Sequence, residues 1–456
     1  MQLRDYQQQG VDEIRRLMRR GKRAVCRQVP TGGGKTVEFS HIATSAISLG
    51  KRVLILAHRT ELILQASDEL KDMGIEHGII QAGISMRLSR QIQIASIQTI
   101  VRRLDKVGTF DLIIVDEAHH SPAGSYQKIF KAFPDAKIIG FTATPRRTDG
   151  KPLNKCFDAL VIGPSIQELI SLGYLKAPKV FAPNIIDTTG IHTKFGDFQK
   201  DELENIVDKP TITGCAIAAY QKYGNGWPAI AFCVSIAHAD HVAESFRDAG
   251  YNSEKIDGQT DHATRKRQLK DLADGRIHVL TSCDLISEGV NIPVVSVGIM
   301  LRPTQSLGLW MQQAGRCLRP APGYPHAIIL DHAGNSFRHG HPASDREWSL
   351  AGDNKSKKKK PEIQVRQCPK CYAVHPSQMR SCPECGFKYV TAPSTQADIE
   401  QREGELAEMN EEMIRRIRRQ EVGRAKSLDD LLRVEKERGY KPGWAQHVFA
   451  ARRKSA

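Results

Sequence analysis

Eight consecutive residues, Val29-Pro30-Thr31-Gly32-Gly33-Gly34-Lys35-Thr36, carry the clearest chemical signal in the chain. Gly32, Gly33 and Gly34 let the backbone turn its N–H groups toward a phosphate, and a helix beginning at their end adds the positive pole of its dipole. In that setting Lys35 reaches the β- and γ-phosphates of a nucleoside triphosphate, and the Thr36 hydroxyl holds Mg²⁺. The strict phosphate-loop pattern has glycine at its first position, where this chain has Val29. Farther along, Leu112-Ile113-Ile114-Val115-Asp116-Glu117-Ala118-His119 is an apolar run closed by two acids. Such a strand delivers both carboxylates to the carboxyl edge of a sheet, where phosphates sit in open α/β folds. Asp116 is then placed to hold Mg²⁺ through water, and Glu117 to orient and deprotonate the attacking water.

A second constellation is metallic. Cys368-Pro369-Lys370-Cys371 and Cys382-Pro383-Glu384-Cys385-Gly386 are two CxxC knuckles. Together they offer four thiolates to a tetrahedral Zn²⁺, with no coordination position left open, so the site reads as structural. Disulfides are disfavoured in a reducing compartment, and iron–sulfur clusters usually take other spacings. The remaining cysteines (Cys26, Cys156, Cys215, Cys233, Cys283 and Cys317) show no pairing pattern and read as small buried hydrophobes.

These groups need rigid elements behind them. AVCRQVP, RVLILA, IQIASI, DLIIVDE and KIIGFTAT are apolar almost throughout, as expected of strands covered on both faces, and a helix from about Thr36 to Leu49 follows the first. From about 228 a second set begins: PAIAFCVS, NSEKID, HVLTSC, VVSVGIM and HAIILD, separated by helical patterns near 237–249, 260–274 and 306–317. The fold class expected is α/β, with two tandem parallel-sheet lobes of similar size. After about 340 the chain turns hydrophilic, with lysines at 355 and 357–360, and the stretch 397–437 reads as charged helix.

With 456 residues, 40% hydrophobic and 26% charged, the chain has the balance of a globular protein of two or three domains. The N-terminal MQLRDYQQQG is polar, and nowhere are there the roughly 18 uninterrupted apolar residues of a membrane span, so a cytoplasmic protein with no membrane partner is expected. A net charge of +15 points to a polyanion, because Lys and Arg gain affinity by releasing counterions from a phosphate backbone.

Gly32 to Thr36 and Asp116-Glu117-Ala118-His119 resemble the first two signature motifs of superfamily 2 helicases, in the DEAH-box form. Other segments follow in the family's order. Leu3-Arg4-Asp5-Tyr6-Gln7 is similar to the upstream adenine-reading segment, which makes Gln7 the base reader and Arg4 its neighbour. Ala57-His58-Arg59-Thr60-Glu61-Leu62 resembles motif Ia, which touches the nucleic-acid backbone. Thr142-Ala143-Thr144-Pro145 matches motif III, which couples hydrolysis to strand movement. Ser287 to Pro293 looks like motif V, with Gly289 and Asn291 at the nucleotide. Gln312-Gln313-Ala314-Gly315-Arg316-Cys317-Leu318-Arg319 fits motif VI, QxxGRxxR, in which a helix presents Arg316 and Arg319 on one face as charge-neutralising fingers beside Gln312.

The resemblance covers roughly residues 1–335 and implies two RecA-like lobes with ATP, and its Mg²⁺, in the cleft between them. The trailing four-cysteine site makes the chain similar to RadD-like DNA repair helicases of bacteria and phages. That implies DNA rather than RNA as the track, repair or recombination as the setting, and a single-strand-binding protein as a partner. The motor subunit of a restriction or defence complex, and an RNA helicase, are the alternatives. The division expected is a first lobe at 1–165, a connector at 166–225, a second lobe at 226–345, a Lys-rich linker at 346–362, a zinc domain at 363–392 and a charged helical tail at 393–456.

Overall fold

The computed structural model describes residues 3–147, 149–183, 186–194, 196–283, 295–352 and 365–389, and beyond these 427, 428, 430–432, 445, 446, 448 and 449. They fall into two compact units, Met1–Phe387 and Lys388–Ala456. In the second, Leu431 and Ala445 are buried, with Leu428, Leu432, Val448 and Phe449 packed around them. The Lys355–Lys360 run, most of the expected tail helix (including Arg415 to Arg419) and Trp444 lie outside the described residues.

The first unit opens with a seven-stranded sheet. Its strands are β1 (Ala24–Gln28), β2 (Val53–Ala57), β3 (His77–Ile80), β4 (Ile92–Ser96), β5 (Leu112–Val115), β6 (Lys137–Thr142) and β7 (Ala159–Ile162). They lie in the order β3-β4-β2-β5-β6-β1-β7, every neighbouring pair parallel. Alternate side chains take opposite faces. Val53 and Ile55 of β2 therefore join Val25, Ile92 and Ile114 under helices α1 (Asp5–Arg19), α2 (Lys35–Ser48) and α3 (Thr60–Asp72). Leu54 and Leu56 join Cys26, Ile113 and Val115 against the helix Gly124–Ala132. Both faces are covered, which is why these strands read as unbroken apolar runs.

The next strand, β8 (Ala177–Phe181), belongs to a second sheet. A short hairpin follows, β9 (Thr193–Lys194) with β10 (Asp197–Phe198), and then helices Lys200–Val207 and Pro210–Tyr223. The sheet is completed by β11 (Ala229–Cys233), β12 (Ser253–Ile256), β13 (Val279–Cys283), β14 (Val297–Met300), β15 (His326–Asp331), β16 (Val365–Gln367) and β17 (Ala373–Pro376). Its order is β12-β13-β11-β14-β15-β8-β17-β16, parallel as far as β8 and antiparallel beyond. Ile230, Phe232, Leu280, Met300 and Ile329 pack with Trp310, Met311 and Ala314 of the helix Leu307–Cys317.

Three features depart from the sequence reading. The segment expected as a connector supplies β8, paired with β15 from Ala177↔His326 to Phe181↔Leu330. The four-cysteine segment is continuous with the second lobe: β17 extends its sheet beside β8, and Val374 lies in its core. Between these two strands the chain returns to the first lobe. There the Leu350 carbonyl accepts from the amides of Leu153 and Asn154 at 2.8 and 3.0 Å, so residues up to 352 form a strap where a linker was expected. Among the described residues no helix is long and apolar enough to cross a membrane.

Candidate functional site

Because the first sheet is parallel, the loops after β1, β2, β5 and β6 all open at its carboxyl edge. The loop after β1 turns through Gly32 and Gly34, both left-handed (φ 84° and 82°), and ends as α2 begins at Lys35. The loop after β5 carries the two acids. Glu117 is left-handed without being glycine (φ 49°, ψ 54°), a conformation that only a well-determined surrounding maintains. Its amide donates to Asp116 Oδ1 at 2.9 Å. Its carboxylate stands 2.9 Å from Lys35 Nζ through Oε1 and 3.3 Å from His119 Nδ1 through Oε2. His119 also meets Thr142 Oγ1 at 3.1 Å. The acids after β5 are thus linked to both the phosphate loop and the Thr142–Thr144 turn after β6.

Burial sets the electrostatics. It raises the Asp116 carboxyl above its ordinary value, and the neighbouring Glu117 carboxylate raises it further. For Lys35, burial works against the charge, but Glu117 and Asp116 outweigh it and hold the ammonium above its usual range.

The N-terminal segment lies on the phosphate loop. Gln7 is buried; its Oε1 accepts from the Arg4 amide at 3.0 Å and its Nε2 donates to the Gly34 carbonyl at 3.3 Å. The Tyr6 hydroxyl donates to the Gly33 carbonyl at 2.8 Å. The Arg4 guanidinium lies 3.8 Å over the ring of Tyr174, within cation–π range.

The second lobe closes the site. A cavity of about 770 Å³ is lined from the first lobe by Gly32, Gly34, Lys35, Thr36, Asp116 and Glu117, and from the second by Gln312, Arg316 and Arg319, with Arg4 and Tyr174 at one wall. The lobes touch closely there. A Cβ on Gly315 would stand 2.5 Å from Thr31 Cβ, and one on Gly32 would meet Leu175 Cδ2 at 2.9 Å. The helix ends at Cys317, so Arg319 stands just past it instead of on a shared helical face; both arginines nevertheless line the cavity.

Sequence reasoning missed Tyr174 and Glu69. Glu69, on α3, accepts from Gln65 Nε2 at 2.9 Å. Burial raises its carboxyl, Asp116 adds to the rise, and Arg319 opposes it. Neither residue belongs to a recurring pattern; the only local hint is the Gln65–Glu69 spacing, which puts both on one face of α3. Gly289 and Asn291 lie outside the described residues.

The four cysteines of the knuckles also converge: their Sγ atoms all lie within 4.8 Å of one another, with Cys368–Cys385 and Cys371–Cys382 both at 3.6 Å. Four thiolates about 2.3 Å from one ion would be ~3.8 Å apart, so the set fits a tetrahedral four-sulfur metal. Each knuckle closes through a left-handed residue, Gly386 (φ 71°) in one and Tyr372 (φ 60°) in the other. The Lys179–Glu384 ion pair (2.7 Å) and the Tyr223 hydroxyl on the Cys371 carbonyl (3.1 Å) bind the knuckles to the second lobe.

Comparison with known proteins agrees with this architecture. Residues 1–147 match the family model "Type III restriction enzyme, res subunit", and 212–321 match "Helicase conserved C-terminal domain". A 51.5 kDa protein of a Lactococcus phage is 34% identical over 367 residues, 79% of this chain and 77% of that protein. A putative ATP-dependent helicase of Saccharomyces cerevisiae, IRC3, is 31% identical over 359 residues, which are 73% of this chain but 52% of the yeast protein. Among solved structures, a fragment of a putative HsdR subunit of a type I restriction enzyme from Vibrio vulnificus shares the fold, with a TM-score of 0.57 at 22% identity over 74% of this chain and 66% of that one. Two adjoining helicase domains, one cavity drawn from both, and relatives of this kind identify the chain as a member of the superfamily 2 helicases, which are nucleic-acid-dependent ATPases.

Proposed function

We propose that this chain is a DEAH-box motor that moves along DNA in repair or recombination, of the RadD-like kind, and that it hydrolyses ATP in the cavity between its lobes. The observation that carries this reading is the shared lining of that cavity: a phosphate loop and two acids on one side, two arginines on the other. Neither lobe holds a complete set, so turnover is tied to closure, and nucleic acid lying across both lobes would favour the closed form.

The roles follow from position. Gly32, Gly33 and Gly34 cradle the phosphates and Lys35 neutralises them. A triphosphate competes with Glu117 for Lys35, and the carboxylate it releases is free to take a proton from the attacking water. Thr36 and Asp116 are the groups that would hold Mg²⁺, which would supply neutralisation of the phosphate charge. Arg316 and Arg319 face charge that builds on the transferred phosphoryl group, with Gln312 beside them. Gln7 and Arg4 receive the base; a nucleotide-binding role for Gly289 and Asn291 rests on the motif V resemblance alone. The four knuckle cysteines hold Zn²⁺ as a structural ion.

The +15 charge suits a nucleic-acid track of either kind, and the restriction-enzyme subunit family matched by the first lobe favours DNA over RNA. That match, and the likeness to an HsdR fragment, also support a second reading: a motor subunit of a restriction or defence complex whose nuclease lies elsewhere. Steady-state ATPase rates with single-stranded, duplex and forked DNA and with RNA, against a Lys35→Ala blank, separate these. Stimulation by forked DNA supports the repair motor, and stimulation by plain duplex the restriction motor. Stimulation by RNA alone overturns both.

A further inference from the structure

Beneath the phosphate loop lies a charged pair that none of the motifs accounts for. Arg27 stands on β1 and Glu38 in the first turn of α2. Their side chains are 2% and 0% exposed, and they meet in two bonds, Nε to Oε2 at 2.9 Å and Nη2 to Oε1 at 3.1 Å. For packing alone two apolar side chains of this size would serve as well or better, because desolvating the charges opposes most of what their attraction returns. What the planar guanidinium adds is direction.

That direction leads to the base-reading segment. Arg27 Nη2 also donates to the carbonyl of Tyr6 at 3.2 Å. Tyr6 is the residue whose hydroxyl holds Gly33, and its neighbour Gln7 holds Gly34. Helix α1 rests directly on the guanidinium at Gly10, where any Cβ would collide with it. One side chain therefore ties the strand before the phosphate loop, the helix after it and the segment lying over it.

We propose that Arg27 and Glu38 are positioning residues that fix the height of the Arg4–Gln7 segment above the phosphate loop, and so set the discrimination between adenine and other purines. The inference rests on the reading that Gln7 receives the base. Three hydrogen bonds seat the segment: Arg27 holds the Tyr6 carbonyl, while the Gly33 and Gly34 carbonyls take the Tyr6 hydroxyl and the Gln7 amide. Remove the lower contact and the Gln7 amide keeps its chemistry but loses its alignment with the base edge.

The test compares kcat and KM for ATP and GTP, in the presence of saturating nucleic acid, for the full chain and three variants. Gln7→Ala should lower the ATP/GTP ratio of kcat/KM; if it does not, the base-reading role itself fails. Arg27→Met with Glu38→Met removes both charges, leaving no buried ion alone. Arg27→Lys keeps a charge opposite Glu38 but loses the fork and the Tyr6 contact, and guards against a fold lost in the double variant. Both should raise KM for ATP and lower the ATP/GTP ratio by about 2- to 10-fold, the worth of a hydrogen bond to the base, with a smaller effect on kcat. A wild-type ratio in either folded variant, alongside a lowered ratio in Gln7→Ala, overturns the proposal and leaves the pair a packing element.

Discussion

Gly315→Ala is the sharpest test of whether the two lobes work as one site. The new Cβ would lie 2.5 Å from Thr31 Cβ and 2.8 Å from its Cγ2. Thr31 Cβ is fixed to the phosphate-loop backbone, so no rotamer relieves the clash. Thr31 and Gly315 sit on different lobes, so the strain exists only while the lobes are together. Overpacking of this kind costs about 1–3 kcal/mol, which lowers the closed fraction by about 5- to 150-fold. Within its own helix the substitution is favourable by about 0.5–1 kcal/mol. The variant should therefore melt no lower than the parent while its nucleic-acid-stimulated ATPase falls by that factor. Gly214→Ala is the control, since it lies on the helix Pro210–Tyr223 with nothing within 4 Å of its Cβ. A wild-type rate for Gly315→Ala at undiminished Tm would refute the argument that hydrolysis needs this interface.

Glu117→Gln should retain ATP binding, measured with a fluorescent analogue, and lose multiple-turnover hydrolysis; unchanged turnover would remove Glu117 from the role of base. Arg319→Ala should reduce kcat more than it weakens ATP binding, because the charge it faces develops mainly in the transition state. Zinc chelation, or Cys368→Ser, should destabilise the second lobe as well as the knuckles, since β17 pairs with β8 and Val374 lies in that lobe's core; loss of metal with an unchanged melting profile would contradict this. The second lobe should also be acid-labile. Burial pushes His238, His332, His339 and His341 from 6.5 down to about 4. Each is neutral when folded and binds a proton when unfolded, so stability is lost as pH falls from about 6.5 toward 4, by about 1.4 kcal/mol per pH unit and histidine. Thermal melts between neutral pH and about pH 5 read this, and a flat Tm would show that these rings are solvated.

The residues legible in the sequence are those whose chemistry needs consecutive positions on one turn: the Gly32–Thr36 loop, the Asp116-Glu117 pair and the two cysteine knuckles. Their meaning is local: β5 runs straight into the acids, and α2 opens from the end of the glycine loop. What stayed hidden is non-local. Tyr174 and Glu69 reach the cavity from segments that carry no phosphate chemistry. Arg27 and Glu38 look like a polar interruption of a strand and an ordinary first-turn acid until β1 and α2 are packed together. The strand β8 was obscured by its composition: Ala177-Pro178-Lys179-Val180-Phe181 lacks the apolar run of its neighbours. Its place is set by partners far along the chain, β15 on one side and the antiparallel β17 on the other. That arrangement gives the four-cysteine segment a physical role that spacing alone does not convey. Without β17 and β16, β8 would be the exposed edge of the sheet on which the helix carrying Gln312 and Arg316 packs, and exposed edges invite pairing with other chains. The knuckles hold the covering strands in place, so the four-cysteine segment belongs to the same sheet as the helix that brings Gln312 and Arg316 to the cavity.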